Sequence, residues 1–151
     1  MTTPIDKNGF AQICIIVPDI EKAAEKWSTL LGCEKPEIRE LHFEGSKDFR
    51  YRGQEISCDI LISVISMPGF VIELHQLLNG PSTFHEFVEK HGYGVHHIGF
   101  EVGDKRDSVI ASLAEEGFDT GRTVGFYPGS SWTIVDTEDV LGVNLNIKPV
   151  R

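Results

Sequence analysis

Gln12-Ile-Cys-Ile-Ile-Val-Pro-Asp19 and His97-Ile-Gly-Phe-Glu-Val-Gly-Asp104 are two copies of one design, 85 positions apart. Each is a largely apolar run ended by a turn residue and an aspartate. Each leads into a helical pattern that stops at a glycine, Gly32 in one copy and Gly117 in the other. A repeat of this kind governs the reading of everything else, because its units share one plan. It also sets Gln12 and His97 at the same place in two copies, which makes them the first candidates for a shared site.

Working outward, Phe10 to Val17 reads as a strand closed by Pro18-Asp19. Asp19 suits a helix N-cap, and Glu21 in the first turn suits the positive end of the helix dipole. Ile20, Ala23, Ala24, Trp27, Leu30 and Leu31 form one apolar stripe, which predicts a helix over Ile20–Leu31 ended by Gly32. Strands are predicted near Glu37–Phe43, Ile56–Ser66 and Phe70–Leu77, with Met67-Pro68-Gly69 as the turn between the last two. A short helix over Thr83–His91 follows. The second copy then runs as a strand at Val95–Val102, a helix near Lys105–Glu116, short strands near Arg122–Tyr127 and Trp132–Asp136, and a last strand at Val143–Ile147.

The predicted fold is therefore α+β: paired β-α-β-β-β modules forming a cupped mixed sheet. The 151 residues are expected to make a single domain. Its two modules cover about 10–78 and 94–149, joined by a short helical connector over 79–93.

Composition excludes several classes of function. Hydrophobic content of 40% and charged content of 25% are those of an ordinary globular chain. A net charge of −9 without a basic stripe argues against nucleic acid as a partner. Three cysteines, Cys14, Cys33 and Cys58, with no C-x-x-C pair, make neither a disulfide framework nor a zinc ribbon. Cys14 and Cys58 read as small core residues. With no apolar h-region and no apolar run near 18 residues, a membrane partner is not expected and a cytoplasmic location is.

Strand parity points to the chemistry. Ile13, Ile15 and Val17 share a face, with Gln12 on the other. Ile72 and Leu74 oppose Glu73 and His75. Ile98, Phe100 and Val102 oppose His97 and Glu101. Val143, Leu145 and Ile147 oppose Asn144 and Asn146. If the apolar faces meet the helices, the polar faces line one concavity. Glu73 sits within Phe70-Val-Ile-Glu-Leu74, where an ionised carboxylate costs several kcal/mol unless it is paired or bound to a metal. A metal would compensate it, and His97 and Gln12 can add neutral ligands. His96 has the opposite parity and is expected outside the concavity. His85 and His91, in the connector, are expected at the surface.

Several stretches resemble the vicinal oxygen chelate superfamily, which includes glyoxalase I, methylmalonyl-CoA epimerase, extradiol dioxygenases and bleomycin-resistance proteins. They are Ile15-Ile-Val-Pro-Asp-Ile-Glu-Lys-Ala23, Phe70-Val-Ile-Glu-Leu74, Gly94-Val-His-His-Ile-Gly-Phe-Glu-Val102 and Gly142-Val-Asn-Leu-Asn-Ile147. The connector, Gly80-Pro-Ser82 through Phe87 to Lys90-His-Gly92, is most similar to the epimerase branch. The resemblance implies a divalent metal, zinc, nickel, cobalt or manganese, held by Gln12, Glu73, His97 and Asn146. The family pattern usually has glutamate at the fourth position, as ligand and often as base. Asn146 offers only an amide oxygen, so weak metal binding is expected.

The implied function is a metal-assisted isomerase, epimerase or lyase. It would enolise a small carbonyl or thioester substrate, with Glu73 and His75 as catalytic residues and His75 as base. The alternative is a binding protein of the resistance or sequestration type, using the same cavity without metal. Phe43, Phe49, Tyr51, Phe126, Tyr127 and Trp132 are the aromatic residues available to line it. Strand edges left by a cupped sheet, and the habit of family members to pair, imply a homodimer.

Overall fold

A computed structural model describes residues 2–45, 47, 49–127 and 130–149. Its strands are β1 (Phe10–Ile16), β2 (Ile38–Phe43), β3 (Phe49–Tyr51), β4 (Cys58–Met67), β5 (Phe70–Leu77), β6 (Gly94–Glu101), β7 (Asp119–Tyr127), β8 (Ser130–Asp136) and β9 (Asn144–Lys148). Its α-helices are α1 (Ile20–Leu31), α2 (Thr83–His91), α3 (Arg106–Glu115) and α4 (Glu138–Leu141). Among the described residues no helix is long and apolar enough to cross a membrane.

Local chemistry sets the helix ends. The Asp19 carboxylate accepts from the Lys22 N–H and caps α1, and Gly32 ends it in the left-handed region at φ 65°. Ser82 caps α2 by accepting from the N–H groups of Phe84 and His85. The α1 stripe is shorter than its periodicity predicts. Ile20 and Ala24 are buried and Ala23 and Trp27 pack beside them, but Leu30 is 74% exposed and Leu31 42%. The last turn of the helix runs past the sheet it covers.

The nine strands form one mixed sheet in the order β2-β4-β5-β1-β6-β9-β8-β7-β3, curled into a cup. The repeat reappears as topology. In the first half β1 pairs β5 in parallel, with β4 and then β2 added antiparallel. In the second half β6 pairs β9 in parallel, with β8 and then β7 added antiparallel. The antiparallel β1–β6 pairing joins the halves. The short β3 comes from the first half of the chain but pairs β7 at the far edge. Neither β3 nor α4 is predicted by the sequence pattern, because three or four residues are too few to show a period.

Two apolar layers cover the outer face. Ile72, Leu74 and Ile65 pack with Ile20 and Ala24 of α1, while Val135, Leu145 and Ile147 pack with Val109 of α3. A third cluster lies inside the cup, where Ile16, Phe49, Cys58, Ile60, Trp132 and Ile134 meet Phe84 of α2. Each large side chain so buried contributes about 1.5–3 kcal/mol. On β4 the apolar face of Cys58, Ile60 and Ile62 turns into the cup, where Phe84 of α2 also lies, and not toward α1.

Candidate functional site

The register of the four central strands builds the inner wall in rows. Cys14 lies opposite Glu73 on one side and His97 on the other, and His97 lies opposite Asn144. In the next row Gln12 lies opposite Val71 and Gly99, and Gly99 lies opposite Asn146. Paired residues share a sheet face, so both rows look into the cup. The stagger is the same in the two halves. Glu73 lies two residues beyond the partner of Gln12, and Asn146 two beyond the partner of His97.

Two details make these rows possible. Gly99 has no side chain, and Gln12 lies across the space that leaves. A Cβ at Gly99 would stand 2.4 Å from the Gln12 Cγ. The β1–β6 register also slips between Cys14 and Ile15, whose partners are His97 and Val95, so His96 has no partner of its own. This bulge lets two consecutive residues, His96 and His97, both be fully buried.

The cavity inside the cup measures about 570 Å³. Gln12, Glu73, His75, His97 and Asn146 all stand on its wall, with Phe43, Phe84, Trp132, Leu41, Ile60 and Ile62 as apolar lining. Of the other aromatic residues singled out by sequence, Phe49 and Tyr51 belong to the cluster inside the cup but do not line the cavity. Phe126 is 44% exposed, and the side chain of Tyr127 lies outside the described residues. His96 lines no part of the cavity; it is buried against Phe84 and Phe87. His91 is exposed, whereas His85 is half-buried and accepts no surface role alone, because it hydrogen-bonds Ser82 and the Leu78 carbonyl.

A hydrogen-bonded chain runs through the site. The Gln12 Nε2 lies 2.9 Å from the His97 Nε2, and the Asn146 Nδ2 lies 3.5 Å from the same atom. With His97 Nε2 as acceptor, its Nδ1–H donates to the His96 Nδ1 at 2.9 Å. The Asn146 Oδ1 is buried and has no partner among the described residues. A half-turn of either amide would present oxygen to the point that His97 Nε2 faces. Beside this chain, His75 Nε2 donates to Glu73 Oε1 at 3.0 Å, which leaves the buried His75 Nδ1 without a partner among the described residues.

Electrostatics follow from these contacts. Burial alone pushes the Glu73 carboxyl up. The hydrogen bond and attraction of His75, then Lys148 and Arg39, outweigh it and hold Glu73 below the usual carboxylate range. Burial, then its histidine neighbours, push His97 well below the ordinary range, so it is a neutral imidazole. Burial pushes His96 down to about 3. Cys14 is raised by burial and then by Glu73, and stands as a thiol. One carboxylate, a neutral imidazole nitrogen and two amide oxygens are donors that a divalent cation accepts, and a cysteine joins them only by giving up its thiol proton. The donor atoms of Cys14, Glu73 and His97 all lie within 4.8 Å of one another.

Besides the apolar lining residues Leu41, Ile60, Ile62 and Phe84, three further residues of the site escape the sequence reading. Cys14 reads as core, yet it shares parity with Gln12 and occupies the repeat position of Gly99, signals that could have found it. Lys148 lies two residues past Asn146 on the same face. Arg39 joins the wall only through its pairing with Ile62, which lies opposite His75. Arg39 and Lys148 stand on the same wall as Glu73 and both attract its carboxylate.

Residues 11–134 match the family described as the Glyoxalase/Bleomycin resistance protein/Dioxygenase superfamily. Among solved structures, the hypothetical protein BH1468 from Bacillus halodurans C-125 is similar with a TM-score of 0.62 at 19% identity, over 92% of this chain and 91% of that one. Methylmalonyl-CoA epimerase from Mycobacterium tuberculosis gives a TM-score of 0.62 at 19% identity, over 100% and 93%. A Streptomyces coelicolor methylmalonyl-CoA epimerase in complex with 2-nitronate-propionyl-CoA gives 0.59 at 19% identity, over 96% and 94%. At such identities the likeness is one of fold. No curated protein matches the sequence.

Proposed function

This chain belongs to the Glyoxalase/Bleomycin resistance protein/Dioxygenase superfamily, and from that premise we propose that it is a metal-assisted isomerase or epimerase, or a lyase, that works by enolising a small carbonyl or thioester substrate. The observation that carries the reading is one carboxylate, Glu73, converging with His97, Gln12 and Asn146 on the wall of one cavity. Gln12, Glu73, His97 and Asn146 would hold a divalent metal, which when bound supplies Lewis acidity toward two neighbouring substrate oxygens.

The protein's own groups account for the proton. His75 donates through Nε2 to Glu73, and its buried Nδ1 has no partner among the described residues, so a neutral ring would carry its lone pair there. Nδ1 takes the proton from the carbon beside the carbonyl, and the C–H electron pair passes into the enolate. Glu73 then faces an imidazolium and stabilises it, as a carboxylate orients and supports a catalytic histidine elsewhere. Return of the proton from Nδ1 to the neighbouring carbon of the enolised substrate, with the electron pair passing back to re-form a carbonyl, completes an isomerisation. Leu41, Ile60, Ile62 and Phe84 exclude water around the reacting carbon. Arg39 and Lys148, the two cations on the cavity wall, favour a substrate that carries negative charge.

Methylmalonyl-CoA, the substrate named for two of the similar structures, is the first thioester to test. Deuterium exchange at the carbon beside the carbonyl, followed by NMR, reads the chemistry directly. Calorimetric titration with zinc, nickel, cobalt and manganese reads the metal. Glu73→Gln is expected to abolish metal binding, because Glu73 is the one charged group among these four ligands. Asn146→Ala is expected to weaken it modestly. A wild-type protein that binds none of these metals and exchanges no substrate proton supports the second reading, a binding protein that uses the apolar walls alone.

A further inference from the structure

We propose that Cys14 is itself a ligand in this site, its thiolate supplying the second negative charge that Asn146 cannot. The inference rests on the metal reading above and changes the donor set. In sequence Cys14 is a small apolar residue in a strand. In the folded chain it stands between Glu73 and His97 in one row of the sheet, paired with both. Its sulfur, a Glu73 oxygen and a His97 nitrogen lie within 4.8 Å of one another. It is fully buried and is a free cysteine, while Cys33 is exposed and Cys58 lies in the aromatic cluster.

Ligand bond lengths of about 2.0–2.3 Å put three donors of one tetrahedral ion about 3.4–3.6 Å apart. Closure by roughly 1 Å therefore completes the site, a movement within reach of the long Glu73 side chain. Binding breaks the Cys14 S–H bond, forms a metal–sulfur bond and releases the proton to solvent. Cys14 and Glu73 together then neutralise a divalent ion. The amide of Asn146 then does not have to act as a ligand. A sulfur ligand also sets selectivity: cobalt, nickel and zinc are favoured over manganese and magnesium.

Cobalt(II) tests this without any substrate. The wild-type protein loaded with one equivalent is expected to show a near-ultraviolet sulfur-to-cobalt charge-transfer band. The band should persist in the Cys33→Ser/Cys58→Ser variant, where Cys14 is the cysteine that remains, and vanish in Cys14→Ser. Preference for cobalt over manganese should drop at least about tenfold in Cys14→Ser. If Cys14→Ser does not fold, the double variant still decides, since a band there has Cys14 as its cysteine source. Cobalt bound at one equivalent with no such band overturns the Cys14 proposal and leaves the metal reading standing. No binding of cobalt, zinc or nickel by the wild type overturns both.

Discussion

Replacing Gly99 by alanine is expected to damage the site through Gln12 alone. The new Cβ would stand 2.4 Å from the Gln12 Cγ, 2.8 Å from its Cδ and 3.3 Å from its Nε2. Carbon atoms in contact ordinarily lie about 3.5–4.0 Å apart, so the Gln12 side chain must move by more than 1 Å or so. It has no free direction, being 2% exposed and held to His97 at 2.9 Å. Either the overpacking stays, at about 1–3 kcal/mol, or Gln12 leaves and His97 loses its partner, again at about 1–3 kcal/mol. The Gly99 backbone is not in the left-handed region, so alanine meets no conformational strain there. Without the clash, Gly→Ala within a strand should even gain about 0.5–1 kcal/mol. Gly99→Ala should therefore destabilise the wild type by about 2 kcal/mol but be neutral or stabilising in a Gln12→Ala background. The coupling between the two sites is then about 2–3 kcal/mol. Urea unfolding of the four proteins, run with a chelator so that metal linkage does not enter, measures it. Additive effects within about 0.5 kcal/mol would refute the packing of Gln12 across Gly99.

His96, pushed down to about 3, and His97, pushed well below the ordinary 6.5, have depressed folded values, so the unfolded chain takes up protons that the folded chain refuses. Their contribution is complete above pH 6.5 and is lost as pH falls from there toward about 3. Urea unfolding should show stability falling with a slope that approaches about 2.7 kcal/mol per pH unit, and a flat profile between neutrality and about pH 5 contradicts it. Arg39→Ala and Lys148→Ala should each raise KM for an anionic substrate about tenfold and leave a neutral analogue unaffected; equal effects on both substrates would remove the charge argument. A homodimer should scatter light as twice the 16.8 kDa chain, held together through the exposed Leu30 and Leu31 or the sheet edges β2 and β3; a monomer mass at micromolar concentration counts against it.

The secondary structure was legible where a period had room to repeat. Twelve residues of α1 and eight of β5 show their boundaries, as do the caps at Asp19 and Gly32. Parity also assigns a face to Gln12, Glu73, His75, His97 and Asn146, because alternation along a strand is a local property. Leu30 and Leu31 continue the α1 stripe yet are exposed, since where a helix outruns its sheet depends on the length of other strands. The adjacent His96 and His97 are both buried, which simple alternation forbids and a bulge allows.

What the sequence determined by itself is the repeat, the fold class and the faces: these follow from spacing within short stretches of chain. What only the tertiary structure decided is who stands beside whom. The β1–β5 and β1–β6 registers turn Cys14 from a core residue into the neighbour of Glu73 and His97. The β2–β4 register brings Arg39 to the cavity, and the gap at Gly99 gives Gln12 its place. Register is set by hydrogen bonds between segments far apart in the chain, and a shift of two residues would keep every face and exchange every neighbour.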